Sequence, residues 1–278
     1  MKDNSISRRS FLGFSASATA LAFLEAHSLL AIGCQQKPAT RTNPLIKSID
    51  LLTTTPLDTM RSFYEGVIGF QVLSKSAHRI TFQTGLSTLS FEKVSGGSDY
   101  RPFYHFAFNI PENKIDQAFE WQKERTPIIH PSPEGSRDTI THFPHWNAHS
   151  IFFLDPAGNL VEYIARHDLK NSTTNDFSVD HILYASEIGF VTEDVNKTGI
   201  DLMKSLQISE YRPGSSAFWP IGDEMGLLLM MSKGRKWSSH PGQENETNVF
   251  KTSVEVNLEK SWRVPGYDYS VWRLTETD

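Results

Sequence analysis

A pattern of one strand, one helix and three further strands is written twice in this chain, and a duplicated unit restricts the fold more than any other feature of the sequence. In the first copy, IKSIDLLTTTPLDTMRSFYEGVIGFQVL reads as a strand, a short connection, an amphipathic helix and a turn into a second strand. Met60, Phe63, Tyr64 and Val67 recur at helical spacing, while Pro56 and Asp58 mark the helix start. HRITFQT and STLSFEKV then flank Gly85-Leu86-Ser87 as a hairpin. The second copy opens at YHFAFNI, about sixty residues on, and Pro111-Glu112-Asn113 leads a helix that carries Ile115, Ala118, Phe119 and Gln122 on one side.

The second copy ends in HSIFFLDPAGNLVEYIA, His149 to Ala165, with Asp155-Pro156-Ala157-Gly158-Asn159 as the turn between two apolar runs. Antiparallel pairing sets Leu154 opposite Leu160 and Phe152 opposite Glu162. Ser150, Phe152, Leu160, Glu162 and Ile164 then share one face, on which a carboxylate requires water, a counter-charge or a metal. The plain alternative for Glu162 is a solvated strand residue. Between the second helix and this hairpin lies a Pro/His-rich stretch, Pro127 to Asn147, longer than a simple connection requires.

A third, more divergent start appears at SEIGFVTEDV, followed by helical NKTGIDLMKSL and the strand-like SAFWPIG and MGLLLMMS. A polar gap, SSHPGQENETN, precedes one more strand, VFKTSVEVNLE, and an aromatic tail. These readings give a paired two-unit domain over 45–168 and a divergent third unit with a C-terminal extension over 178–278.

The amino terminus, Ser7-Arg8-Arg9-Ser10-Phe11-Leu12-Gly13 followed by a small-residue apolar run, has the pattern of a twin-arginine export signal over 1–33. It is too short and too weakly apolar for a membrane span. Residues 34–44 read as a polar linker. The expected destination is therefore the periplasm or the outer face of the membrane, reached through the export machinery. Cys34 is the single cysteine, which excludes an intrachain disulfide. Leu30-Ala31-Ile32-Gly33-Cys34 resembles a lipoprotein cleavage box, which makes Cys34 a candidate lipid anchor, although Ala31 stands where that pattern prefers Leu. With a net charge of −5 and no basic stripe, the chain is not built to bind nucleic acid.

The strand-helix start with FYEGVIGFQV, the second start YHFAFNI and the hairpin DPAGNLVEYI resemble the vicinal oxygen chelate superfamily, which includes glyoxalase I, fosfomycin-resistance thiol transferases, extradiol dioxygenases and bleomycin-binding proteins. The resemblance is good over 45–168 and weak beyond. It implies an α+β fold in which paired βαβββ units form a curved, cleft-like mixed sheet with flanking helices, and a divalent metal held by the first and last strands of each unit. Carried onto this sequence, the ligands it implies are Glu92, His105 and Glu162. Ser48 occupies the remaining position, usually His or Gln, and a serine hydroxyl is a poor ligand for a transition metal. Asp50 lies on the same strand face as Ser48 and can serve in its place. Such an oxygen-rich set with one imidazole suits manganese, iron(II), zinc or nickel. At the third unit's first-strand position stands Glu187, but its last strand offers Leu229, Met230 and Met231, so no second metal site is expected there.

Within HFPHWNAH, alternation puts His149 on the face opposite Glu162, while His142 and His145 sit where they can cover the cavity as acid/base groups. Each candidate also has a structural reading: His105 as a core histidine on a backbone carbonyl, Glu92 as an edge residue paired with a lysine, the loop histidines as surface groups. Two functions are open at this point. One is an exported metal-dependent lyase, isomerase or dioxygenase acting on a small oxygenated molecule, with Glu162 as the catalytic carboxylate and Ser150 and Phe152 against the substrate. The other is a non-catalytic small-molecule binding protein of the bleomycin-binding type. The sequence leaves the oligomeric state undetermined.

Overall fold

The computed structural model describes residues 44–96, 100–130, 139–235, 247–264 and 267–273. The segment read as an export signal, Cys34 and the linker up to residue 43 lie outside the described residues. The first unit comprises β1 (Ile46–Thr53), α1 (Leu57–Arg61, continued as a π-helical turn over Ser62–Ile68), β2 (Gln71–Lys75), β3 (Arg79–Thr84) and β4 (Ser87–Lys93). The second comprises β5 (His105–Ile110), α2 (Ile115–Lys123), β6 (Thr141–Phe143), β7 (Ala148–Leu154) and β8 (Leu160–Arg166). A third follows as β9 (Tyr184–Thr192), α3 (Val195–Leu206), β10 (Phe218–Asp223) and β11 (Gly226–Ser232). The chain ends in β12 (Thr252–Val256), β13 (Trp262–Arg263) and β14 (Tyr269–Arg273).

These strands form two seven-stranded mixed sheets, ordered β13-β14-β12-β1-β4-β3-β2 and β10-β11-β9-β5-β8-β7-β6. The first two units thus do not pair with each other in one sheet, as their order in the sequence suggests. The open edge of β5 is taken by β9, which pairs with it antiparallel, and the open edge of β1 is taken by β12. A strand edge left bare would expose unpaired backbone groups, and the third unit and the tail supply the missing neighbours. The boundary expected between 168 and 178 therefore runs through shared sheets, and residues 41–278 make one compact unit.

One apolar core joins both sheets and the helices. It takes Ile49, Leu51, Phe82 and Phe91 from the first sheet, Phe106, Phe108, Phe153 and Tyr163 from the second, and Met60, Phe63, Ala118 and Leu202 from the helices. Helix α2 buries Ile115, Ala118 and Gln122, with Phe119 partly buried, as its periodicity predicts. Helix α1 departs from its pattern: Val67 is 37% exposed and Ile68 is buried instead. The π-helical turn supplies the reason, because i→i+5 closure delays the return to the inner face by one residue.

The β7–β8 hairpin has the expected register, with Phe152 opposite Glu162 and Leu154 opposite Leu160. Gly158 provides the positive φ (84°) that the turn requires. The buried Asp155 carboxylate fixes the turn by accepting from the Ala157 and Asn159 amides, both at 2.9 Å, and from the Tyr64 hydroxyl at 2.8 Å. That last bond ties the hairpin to α1. Both faces of β8 are buried, Val161, Tyr163 and Ala165 in the main core and Leu160 and Ile164 on the opposite side. The solvated-strand reading of Glu162 is thereby removed, since the residue is only 4% exposed.

Candidate metal centre

β5 runs between β8, to which it is parallel, and β9, to which it is antiparallel. Ala107 is the register partner of Glu162 on one side and of Glu187 on the other. The two glutamates therefore reach toward each other over a strand whose own side chain at that level is a single methyl group. His105 precedes Ala107 by one strand repeat, so its ring rises on the same face. Its Nε2 lies 3.4 Å from Glu162 Oε2 and 3.9 Å from Glu187 Oε2. Among the described residues, these three offer ligand atoms that all lie within 4.8 Å of one another, and all three residues are buried.

Crowding two carboxylates out of water has electrostatic consequences. Burial, followed by the charge of Glu187, pushes the Glu162 carboxyl well above the usual carboxylate range. The nearby Ser150 hydroxyl, buried and without a well-formed hydrogen bond, opposes that shift, as does Arg166. Burial also raises Glu187, against the pull of Arg166. Burial brings His105 down to about 4, so its ring is neutral at physiological pH. Its Nδ1 lies 3.1 Å from the Leu160 carbonyl, which only accepts. Nδ1 therefore carries the proton, and the Nε2 lone pair faces the glutamates. A neutral imidazole whose Nε2 faces two carboxylates that repel each other is a donor set that a divalent cation would satisfy.

Arg166 closes the far side of the cluster. Its guanidinium is fully buried, bonds Glu187 through Nη2, and donates from Nε to Asn109 Oδ1 at 3.2 Å. Among the described residues Nη1 has no hydrogen-bond partner, and the Trp146 and Tyr211 rings lie 5.6 and 5.9 Å from the guanidinium carbon. Phe152, whose ring centroid is 6.4 Å from that of His105, continues an aromatic rim with Phe143, Trp146 and Phe218. The same register relation that places Glu162 opposite the residue two beyond His105 places Leu229 opposite Gly189, two beyond Glu187. An apolar side chain thus stands where a fourth ligand would complete the symmetry.

Of the residues expected to hold a metal, the structure brings His105 and Glu162 together. Glu92, Asp50 and Ser48 are on the other sheet and do not join them. Glu92 is half-exposed and paired with Lys251 at 3.2 Å, Asp50 is paired with Arg79, and the Ser48 hydroxyl lies 3.5 Å from Glu255. The physical reason is the pairing of units: a site between neighbouring first strands forms where β5 meets β9, and β1 meets β12 instead. Ser150 and Phe152 do lie on the Glu162 face. His142 does not cover the centre, because alternation along β6 turns it away with His149, its cross-strand partner, and the two rings stack at 4.4 Å. His145 is exposed in the short helical turn Pro144–Trp146 and is likewise not drawn into the cluster. Glu187 was assessed only against its own unit's last strand. What marks it is an acidic residue in an otherwise apolar strand. Arg166 was also missed, though it falls on the Glu162 face by simple alternation.

A sheet built from two such units around a buried His/Glu/Glu cluster is the arrangement that the resemblance to the vicinal oxygen chelate superfamily implies. Residues 46–163 match the family model of the Glyoxalase/Bleomycin resistance protein/Dioxygenase superfamily. A putative dioxygenase from Bacillus subtilis subsp. subtilis str. 168 has a similar fold, with a TM-score of 0.52 at 14% identity over 77% of this chain and 71% of that one. Glyoxalase I from Zea mays gives 0.46 at 14% identity, over 77% and 75% of the two chains. Lactoylglutathione lyase from Agrobacterium tumefaciens gives 0.32 at 21% identity, over 46% of this chain and 94% of that one. No protein of curated function matches the sequence.

Proposed function

We propose that this protein is an exported, divalent-metal-dependent enzyme that moves a proton on a small oxygenated molecule, as a lyase or isomerase, with His105, Glu162 and Glu187 holding the ion. The observation that carries this reading is the convergence of one imidazole nitrogen and two carboxylates, all on buried residues, within 4.8 Å of one another. A bound divalent ion would stabilise negative charge on neighbouring oxygens of the substrate. Glu162, raised by burial and by Glu187, is suited to accept a proton at Oε2 from a carbon next to a carbonyl and to return it. Arg166 neutralises Glu187, so the two carboxylates are not equivalent, and Glu162 is the one left to exchange protons. Leu160 orients the His105 ring, while Phe152 and Trp146 restrict water. One histidine with two glutamates differs from the two-histidine, one-carboxylate set of non-haem iron oxygenases, which disfavours the dioxygenase reading. Export is supported by the twin-arginine pattern in residues 1–33.

One observation favours a second reading, a binding protein without chemistry: Arg166 already offsets one carboxylate charge, so the cluster can persist as an ion-pair network. Metal analysis and thermal unfolding separate the two. The enzyme reading expects one tightly held ion per buried site and a melting temperature that rises when manganese(II), zinc(II) or nickel(II) is added after chelation. Glu162→Gln should remove both effects. Absence of any metal-induced shift in the unaltered protein would leave the binding reading in place.

A further inference from the structure

A second group of metal-binding side chains lies on the opposite face of the same sheet, away from Glu162. His142 on β6, His149 on β7 and His167 just after β8 come from adjacent strands and line an open surface pocket with Glu112 and Asp116 near the start of α2. The His149 and His167 rings are T-shaped at 5.0 Å, and His149 Nδ1 is 2.7 Å from His167 Nε2. The His142 ring stacks on His149 with centroids 4.4 Å apart. We propose that His142, His149 and His167, backed by Glu112, form a second metal site selective for borderline transition ions such as zinc(II), copper(II) or nickel(II).

Three observations support the assignment. First, His167 Nδ1 faces Glu112 Oε2 at 3.2 Å, and Ser172 donates to the other oxygen of that carboxylate. An ionised carboxylate only accepts, so His167 carries its proton on Nδ1 and presents a bare Nε2. This is the outer-shell carboxylate–histidine arrangement that fixes a ligand's tautomer in zinc sites. Secondly, that bare nitrogen already faces a second imidazole nitrogen. Two nitrogens on a tetrahedral zinc at about 2.1 Å lie about 3.4 Å apart, so separating the pair by about 0.7 Å and releasing the proton between them makes room for an ion. Thirdly, His142 is exposed and its side chain is free to rotate about χ1 and χ2 toward the pair. The imidazole-rich set differs from the carboxylate-rich buried centre, so the two should prefer different ions.

The competing interpretation is a clamp that pins the segment after β8 to the β5–α2 connection, where Asn113 and Thr173 also exchange two hydrogen bonds. Equilibrium dialysis of the full chain against zinc(II), with metal quantified per chain, tests the proposal. His149→Ala and His142→Ala should each lower the stoichiometry by one ion, or weaken one class of site at least tenfold, while Glu162→Gln leaves that class unchanged. Melting temperatures of the metal-free variants close to that of the parent confirm that the loss is not unfolding, and His142→Ala serves as the check should His149→Ala fail to fold. Equal zinc binding by the parent and both histidine variants overturns the second site and leaves the clamp. Because the buried centre is probed separately by Glu162→Gln, failure there does not mimic failure here.

Discussion

Replacing Arg166 with Met tests the electrostatics of the buried centre directly. Arg166 has no exposed surface and its partner Glu187 is 3% exposed at the side chain, so neither group can turn to water when the other is removed. Breaking a buried pair by deleting one partner costs about 3–5 kcal/mol, because an uncompensated charge stays behind. For a chain of this size about 1 kcal/mol moves the melting temperature by 2–4 °C, so the metal-free Arg166→Met protein should melt about 6–20 °C lower. The assay is denaturant and thermal unfolding in the presence of chelator, run as a double-mutant cycle with Glu187→Gln. Removing both charges should recover most of the loss, since the remaining groups are no longer an unpaired ion in a low-dielectric site. Added manganese(II) or zinc(II) should also restore stability to the single variant, the ion taking over the role of the guanidinium. A cost below about 1 kcal/mol for Arg166→Met, or a double variant no more stable than the single one, would refute the reasoning.

The pH dependence of metal-free protein should have two opposed limbs. Glu162 and Glu187 are raised in the fold, so the native state keeps protons that the unfolded chain releases, and stability falls as pH rises above the ordinary carboxylate value of 4.5. His105 is lowered to about 4, so its contribution is present above 6.5 and is lost as pH falls from 6.5 through about 4. Unfolding free energy measured against pH should lose the Glu162 share of the first limb in Glu162→Gln and the second limb in His105→Gln; unchanged profiles would contradict these assignments. Ala107→Val adds methyl groups between the two glutamates and should abolish the metal-induced thermal shift at a stability cost of about 1–3 kcal/mol, measured by calorimetry with and without ions. In α1, Phe63→Ala should cost about 3–5 kcal/mol and Val67→Ala no more than about 0.5 kcal/mol, an order that denaturant unfolding checks and that simple helical spacing would not produce.

The repeated units, the β7–β8 register and the inward face of Glu162 were legible in the sequence because each is set by local chemistry: alternation along a strand, a DPAGN turn and apolar periodicity in a helix. His105 came as a ligand that the resemblance implies, and alternation along YHFAFNI agrees with it. The resemblance to a known superfamily then supplied a ligand pattern, and it pointed to Glu92 and Asp50 because it took the first two units as partners. In the fold those carboxylates meet Lys251 and Arg79 on a different sheet. Val67 marks a smaller limit of the same kind, since a π-helical turn changes the phase without a clear mark in the residue types.

What the sequence determined alone was therefore the identity of the repeated units' main strands and helices and which residues share a face of the β7–β8 hairpin; β6, β13 and β14 were not legible in it. Which strand edge meets which was decided only in three dimensions: β9 closed on β5 and β12 on β1, and this choice delivered Glu187, not Glu92, to His105 and Glu162. The physical reason is that alternation and turn geometry act over a few residues, whereas edge pairing is settled by backbone hydrogen bonds and core packing between segments far apart in the chain.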